Sequence, residues 1–263
     1  MSNIMESGLD MRETIKWYEK SGIMLPPLFA GSNLPYSVDG RELIELSKRE
    51  LGALFNLFPE NARKRSSLRK VVGKPTTWFD KQSAEGKLTP TTDESEALSP
   101  TAIIPSYIDY MPWKESGIPT ADIWLYKLPD SIPKGVRRII QGQGFVHEIS
   151  HSVVPPAIYL ENHNLRLPDG KLISGLEAIT EFSRLSEQHH PISHYASSYR
   201  LPDNKFKGEN PNTAISEEFC ETIAAHFLGF AFCKDDSRGK NPFADRPEVK
   251  DFIVNFLNAE LVN

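Results

Sequence analysis

The sequence predicts an α+β fold, and three features of the chain lead to this prediction. Two segments, 101–113 and 120–129, are rich in β-branched and aromatic residues, which is typical of strands. Several other segments repeat apolar residues three and four positions apart, which is typical of helices with one buried face. A polar, turn-rich stretch at 81–100 reads as a linker between a mainly helical first part and the part that contains the strands.

The composition excludes several classes of protein. With 39% hydrophobic residues among 263, the chain can bury a core of ordinary size. The formal net charge of −5 provides no overall positive field, so we expect no nucleic-acid partner. No run of about 20 apolar residues could span a membrane, and the first residues lack the pattern of a secretory signal peptide. The expectation is a protein that is cytoplasmic or is exported without such a leader. The oligomeric state is left open.

The cysteines offer neither a disulfide framework nor a thiolate metal site. Only two are present, Cys220 and Cys233, and a disulfide-stapled fold needs more. Neither has the C-x-x-C spacing of a structural zinc site.

Two helices are predicted in the first part of the chain. The segment 10–22 reads as a short helix that Gly22 closes. The segment 40–57 carries leucines at helical spacing and predicts a longer helix. A basic cluster follows, interpreted as a solvated helix face or as a docking surface for an acidic partner or a membrane. Its members are Arg63, Lys64, Arg65, Arg69 and Lys70.

Three helices are predicted in the second part. The first covers 134–154, where Pro155 and Pro156 are expected to end it because proline interrupts a helix. The second covers 174–188, and the third covers 214–232 with an aromatic stripe along one side.

The first of these helices contains "HEISH", which has the spacing of a zinc site. His147 and His151 are four residues apart, so both project from one helix face and can bind a single ion. A catalytic zinc keeps one position for water and lowers the pKa of that water to about 7. Glu148 would lie beside this water and could take its proton and pass it to a leaving amine.

A third ligand must come from elsewhere in the chain, and three sources are open. Glu177 in "GLEAITEF" resembles the ligand helix of thermolysin-like peptidases. Glu217 in "SEEFCETIAA" resembles the E-x-F-A-E helix of the anthrax lethal factor-like metallopeptidases, which are gluzincins and include the Pro-Pro endopeptidases. The third source is the histidine-rich loop "HHPISH" at 189–194.

The lethal factor-like resemblance covers roughly residues 120–233 and implies roles for individual residues. Glu217 would bind zinc with His147 and His151, while Glu221 would support these ligands without binding the metal itself. Tyr195 in "ISHYASSYR" stands where the family has its catalytic tyrosine. An insertion separates Tyr195 from Glu217, which leaves Tyr199 as a rival for that role, and Cys220 stands where the family usually has alanine.

The resemblance also implies an architecture. The fold would be of the zincin type, with a small mixed sheet over the H-E-x-x-H helix and a helical lower half. Residues 101–263 would form this catalytic domain, and residues 1–100 a mainly helical region packed on it. The strand at 121–128 would be the sheet edge against which an extended peptide substrate pairs.

The function implied is that of a zinc-dependent endopeptidase acting on a protein or peptide. Glu148 would be the general base, and Tyr195 would hydrogen-bond the oxyanion. The family suggests a selective enzyme, such as a bacterial effector or toxin translocated into a host cell. An intracellular housekeeping peptidase is the rival. Two other readings are open: a non-catalytic zincin-shaped interaction domain, and a metalloenzyme that hydrolyses something other than peptides.

Overall fold

The structure, a computed structural model, describes residues 11–26, 36–75, 106–110, 121–128, 130–159, 164–207, 211–233 and 236–262. Its fold is α+β, as the sequence predicts. The helices are α1 (Met11–Ser21), α2 (Lys48–Phe55), α3 (Glu60–Arg65), α4 (Lys134–Tyr159), α5 (Gly175–Ser186), α6 (His194–Ser197), α7 (Pro211–Leu228), α8 (Asp236–Lys240) and α9 (Pro247–Asn258). The strands are β1 (Ser37–Asp39), β2 (Leu68–Lys74), β3 (Ser106–Tyr110), β4 (Ala121–Tyr126), β5 (Asn164–Arg166), β6 (Leu172–Ser174) and β7 (Glu260–Val262). No helix in these ranges is both long and apolar enough to cross a membrane.

The larger sheet has the strand order β1-β2-β4-β3 and is mixed. β1, β2 and β4 run parallel, while β3 runs antiparallel to β4. Two of its strands precede residue 100 and two follow it. The predicted boundary at residue 100 and the predicted linker at 81–100 lie outside the described residues. β5 joins β6 and β7 in a second, three-stranded sheet.

The predicted edge strand is wrong. β4 lies inside the sheet, paired with β2 on one side and β3 on the other, and all of its residues are buried. Its backbone groups are therefore engaged in two ladders and cannot receive a substrate strand. Among the described strands, the outer one next to β4 is β3, which also packs against α4.

The predicted end of the long helix is wrong as well. α4 continues through Pro155 and Pro156 to Tyr159. Proline cannot donate to the carbonyl four residues earlier, which for Pro156 is that of Ser152. Here the Ser152 carbonyl accepts from the backbone N–H of Ser67 at 3.0 Å and from its hydroxyl at 3.3 Å. Because another segment satisfies the carbonyl that proline leaves without a donor, the helix can continue.

The helix predicted at 40–57 is shorter than expected. A 3₁₀ turn occupies Arg41–Leu43, and α2 begins only at Lys48. Ser47 caps α2 in a capping box with Glu50, which satisfies free N–H groups of its first turn. The helices predicted at 10–22 and 174–188 are confirmed, as are the strands that become β3 and β4. The helix predicted at 214–232 exists as α7, but it begins at Pro211 and ends at Leu228.

The basic cluster is not one surface. α3 ends at Arg65, and β2 begins at Leu68, so the cluster divides between a helix and a strand. Arg65 is buried and donates to the carbonyls of Phe256 and Ala259 at 2.6 and 2.7 Å. Its guanidinium therefore stabilises the C-terminal end of α9 and is unavailable for docking.

α4 is the helix around which the rest of the fold packs. It contacts β3 and β4 of the larger sheet, and it also packs against α5 and α7. Stacked rings of Phe182 and Phe219, with centroids 4.3 Å apart, join α5 to α7. Phe219 also contacts Phe256 of α9. This packing holds α7 firmly beside the helix that carries the two histidines.

Candidate metal centre

The two histidines of α4 converge as their spacing predicts. His147 and His151 lie one turn apart, and each is only 7% exposed. Their Nε2 atoms are 3.0 Å apart, and the two rings meet edge to face at 4.7 Å. Both rings therefore present the same nitrogen to one point beside the helix.

Glu217 of α7 brings a carboxylate to that point. Its Oε2 is 3.2 Å from Nε2 of His147, and its Oε1 is 3.2 Å from Nε2 of His151. Atoms bound tetrahedrally to zinc at about 2.0–2.1 Å are about 3.3 Å from one another. The three groups thus have the mutual spacing of three ligands on one ion, and they could hold a metal ion.

The electrostatics of the site favour a cation. Burial alone would raise the pKa of Glu217, but the imidazoles of His151 and His147 hold it well below its usual range. Burial would lower the pKa of His147, but ion pairing with the carboxylates of Glu217 and Glu221 raises it well above its usual range. In the metal-free protein, His147 thus retains a proton to offset the carboxylates, and a metal ion can take over that charge.

Glu221, one turn after Glu217 on α7, lies behind His147. Its Oε1 is 3.0 Å from Nδ1 of His147, at an angle short of a well-directed hydrogen bond. A carboxylate on the far nitrogen keeps the proton there and leaves Nε2 free for a metal. The supporting role that the resemblance implies for Glu221 requires such a position and stays a prediction.

Tyr195 is the tyrosine that reaches the centre. Its hydroxyl donates to Oε2 of Glu217 at 3.1 Å, and its ring lies 6.0 Å from that of His147. Burial and then the charge of Glu217 raise the pKa of Tyr195 well above its usual range, so it remains a donor. The hydroxyl oxygen of Tyr199 lies 2.8 Å from that of Tyr195, so Tyr199 is connected to Glu217 through Tyr195.

Glu148 is buried on α4, directly after His147. Burial, followed by the charges of Glu217 and Glu148, raises the pKa of the Cys220 thiol on α7. The Glu148 carboxyl therefore lies within electrostatic reach of the helix that carries Glu217. Cys220 remains a neutral thiol that fills space between the helices.

The rival ligands lie elsewhere. Glu177 is part of a capping box with Ser174 at the start of α5, where both its oxygen and its backbone N–H are engaged. In the histidine-rich loop, His189 pairs with Glu248, and the ring of His194 lies against Phe232. Among the described residues, the candidate third ligand that the structure brings to the two histidines is Glu217.

A buried ion-pair cluster beside the centre was not predicted from the sequence. Arg200 makes a two-pronged ion pair with Glu218, at 2.6 and 2.7 Å, and the side chains of both residues are buried. The Ser186 hydroxyl donates to Glu218 at 2.6 Å. This clamp ties the segment that carries Tyr195 and Tyr199 to α7 and α5. No spacing in the sequence identifies it, because its members come from three separate segments.

Comparisons of the chain with protein-family models, with curated proteins and with solved structures return no match. The candidate function therefore depends on the geometry of the centre itself.

Proposed function

We propose that the protein is a zinc-dependent endopeptidase of the zincin type, with His147, His151 and Glu217 as its metal ligands. The observation that carries this proposal is the convergence of three side chains: the two Nε2 atoms are 3.0 Å apart, and each lies 3.2 Å from one oxygen of the Glu217 carboxylate. Two imidazoles and one carboxylate are a typical ligand set of catalytic zinc, which leaves a fourth position open. Imidazole and carboxylate groups also bind other transition-metal ions, so the identity of the ion as zinc is part of the proposal.

The residues around these three ligands supply the chemical groups that hydrolysis needs. Bound zinc would polarise a carbonyl and lower the pKa of water. Glu148, next to His147 in the chain, takes the proton of the attacking water and transfers it to the leaving amine. Tyr195 donates a hydrogen bond to the carbonyl oxygen of the substrate as that oxygen becomes negative. Loss of such a hydrogen bond lowers the rate by about 10²–10³.

A peptide is the proposed substrate because the sheet has a strand beside α4 that suits one. β3 is the outer described strand next to β4 and packs against the helix of the histidines. An extended chain pairing with such a strand would pass along the metal centre, with main-chain hydrogen bonds giving affinity. Delivery into a host cell as an effector or toxin remains a prediction from the family resemblance.

The first experiment measures metal and cleavage together. The purified protein should hold about one zinc ion per chain by elemental analysis, because the three ligands make one site. Profiling of new peptide termini in a cell lysate should reveal cleavages that vanish with Glu148→Gln, since the amide keeps the shape of the carboxylate but cannot take a proton. Glu181→Gln is the matched control, because Glu181 pairs with Arg184 on the solvent-exposed face of α5.

Two outcomes would overturn the proposal. If the wild-type protein binds no zinc above background, the centre is not a zinc site. If Glu148→Gln produces the same new termini as the wild type while retaining zinc, Glu148 is not the base, and the proposed hydrolysis does not occur at this centre.

A further inference from the structure

The hydroxyls of two tyrosines form a directed chain that ends on the metal ligand Glu217. Tyr195 donates to Oε2 of Glu217 at 3.1 Å, and the hydroxyl oxygens of Tyr195 and Tyr199 are 2.8 Å apart. A phenol has a single proton. Because Tyr195 gives its proton to Glu217, the proton between the two tyrosines must come from Tyr199.

Backbone hydrogen bonds and core packing anchor Tyr199. Its backbone N–H donates to the carbonyl of Ala196 at 3.1 Å, and its own carbonyl accepts from Lys207 at 2.9 Å. The next residue is Arg200, held by its buried ion pair with Glu218. The Tyr199 ring also packs against the main hydrophobic core. These contacts fix the position of Tyr199 in the body of the protein.

We propose that Tyr199 is a positioning residue, which donates its proton to Tyr195 and so directs the proton of Tyr195 into the metal centre. The proposal rests on the proposed function, because it assigns Tyr195 as the donor to the substrate. Without Tyr199, the Tyr195 hydroxyl can rotate and use its proton elsewhere. With Tyr199 donating, the only direction left for that proton is toward Glu217 or toward an oxygen that replaces it.

Hydrogen bonding along such a chain is cooperative. A hydroxyl that accepts one hydrogen bond becomes a better donor in the next. Tyr199 would therefore strengthen the contact that Tyr195 makes to a negative oxygen, without touching the substrate. Its whole effect passes through Tyr195, and that dependence separates it from a residue that merely packs.

A double-mutant cycle tests this dependence without the natural substrate. The probe is acetohydroxamate, a small zinc-binding anion whose oxygen stands in for the oxyanion of the substrate. Its dissociation constant is measured with zinc-loaded wild-type protein, Tyr199→Phe, Tyr195→Phe and the double variant. Phenylalanine retains the ring and removes only the hydroxyl. Tyr36→Phe is the matched control, because the Tyr36 hydroxyl contacts the Leu51 carbonyl, away from the centre.

The expected pattern is non-additive. Tyr195→Phe should weaken probe binding at least about tenfold, as expected for a hydrogen bond to a charged group. Tyr199→Phe should weaken it about two- to tenfold. The double variant should match Tyr195→Phe alone, because Tyr199 has no effect once its acceptor is gone. Tyr36→Phe should bind like the wild type.

Each contrary result has a separate meaning. If the losses of the two single variants add in the double variant, Tyr199 acts independently of Tyr195 and the inference fails. If Tyr199→Phe binds the probe like wild type and Tyr36→Phe, the inference fails while the proposed function stands. If the wild-type protein binds neither zinc nor the probe, the proposed function itself fails.

Discussion

Glu217 and Glu218 are neighbours on α7, yet their surroundings differ completely. Adjacent residues of a helix project about 100° apart, so the two carboxylates face different parts of the protein. Glu218 is fully buried and meets the guanidinium of Arg200. Glu217 is 19% exposed and meets the imidazoles of His147 and His151.

The difference lies in the kind of partner that offsets each charge. Arg200 is permanently protonated and binds Glu218 through two nitrogens, which leaves that carboxylate no capacity for another cation. Imidazoles can lose a proton at ordinary pH and can then bind a metal. We infer that Glu218 serves stability whereas Glu217 is available to a metal ion, although the two acidic residues are neighbours on the same helix.

The largest effect on stability is expected from breaking the clamp. Glu218→Ala leaves the buried guanidinium of Arg200 without a partner, and removing one member of a buried ion pair costs about 3–5 kcal/mol. Denaturant unfolding of the metal-free protein measures this loss. The double variant Arg200→Met/Glu218→Met should recover part of it, because no uncompensated charge remains. A loss below about 1 kcal/mol for Glu218→Ala would mean that the clamp does not stabilise the fold.

The largest effect on metal binding is expected from the neighbouring residue. Glu217→Ala removes a direct ligand, so its loss of zinc affinity should exceed the ~10–100-fold that changes outside the ligand set cause. Chelator competition at one fixed pH measures the affinity. Glu177→Ala is the control, since Glu177 caps α5 and should change only stability, by about 1 kcal/mol. Stronger zinc loss with Glu177→Ala than with Glu217→Ala would reverse the ligand assignment.

The smallest effect is expected from Glu221→Gln, which alters only the far side of His147. Zinc affinity near pH 7 should fall by about 10–100-fold, because the amide no longer orients and polarises the imidazole as a carboxylate does. Chelator competition over a range of pH also tests the charge of His147. An affinity equal to that of the wild type at every pH would show that Glu221 plays no part in the centre.

The sign of the pH effect follows from the raised pKa of His147. In the metal-free protein, the pairing of protonated His147 contributes stability that is fully present below its unfolded pKa of about 6.5 and is lost as the pH rises through the folded value. Zinc must displace this proton, so its affinity should rise with pH, by about tenfold per unit for each proton displaced. Glu221→Gln lowers the pKa of His147, so the rise should level off at a lower pH than in the wild type.

Some of the centre could be predicted from the sequence because it depends on local geometry. The four-residue spacing of His147 and His151 places both on one helix face wherever that helix lies. Glu148 is placed on the same helix because it directly follows His147. The strong apolar periodicity of α5 likewise predicts that helix from local sequence, whereas α7 is apolar around much of its surface and has only weak periodicity. The α+β class likewise followed from strand-like and helix-like segments that local composition marks.

The rest was decided by contacts between distant segments. Glu177 and Glu217 both stand on predicted helices, and only the packing of α7 against α4 brings Glu217 to the histidines. α4 passes Pro156 because Ser67, which directly precedes β2, satisfies the Ser152 carbonyl. β4 is an inner strand because β2 and β3 both pair with it. Local sequence specifies which side chains share a face, whereas the partner of that face depends on how the whole chain packs.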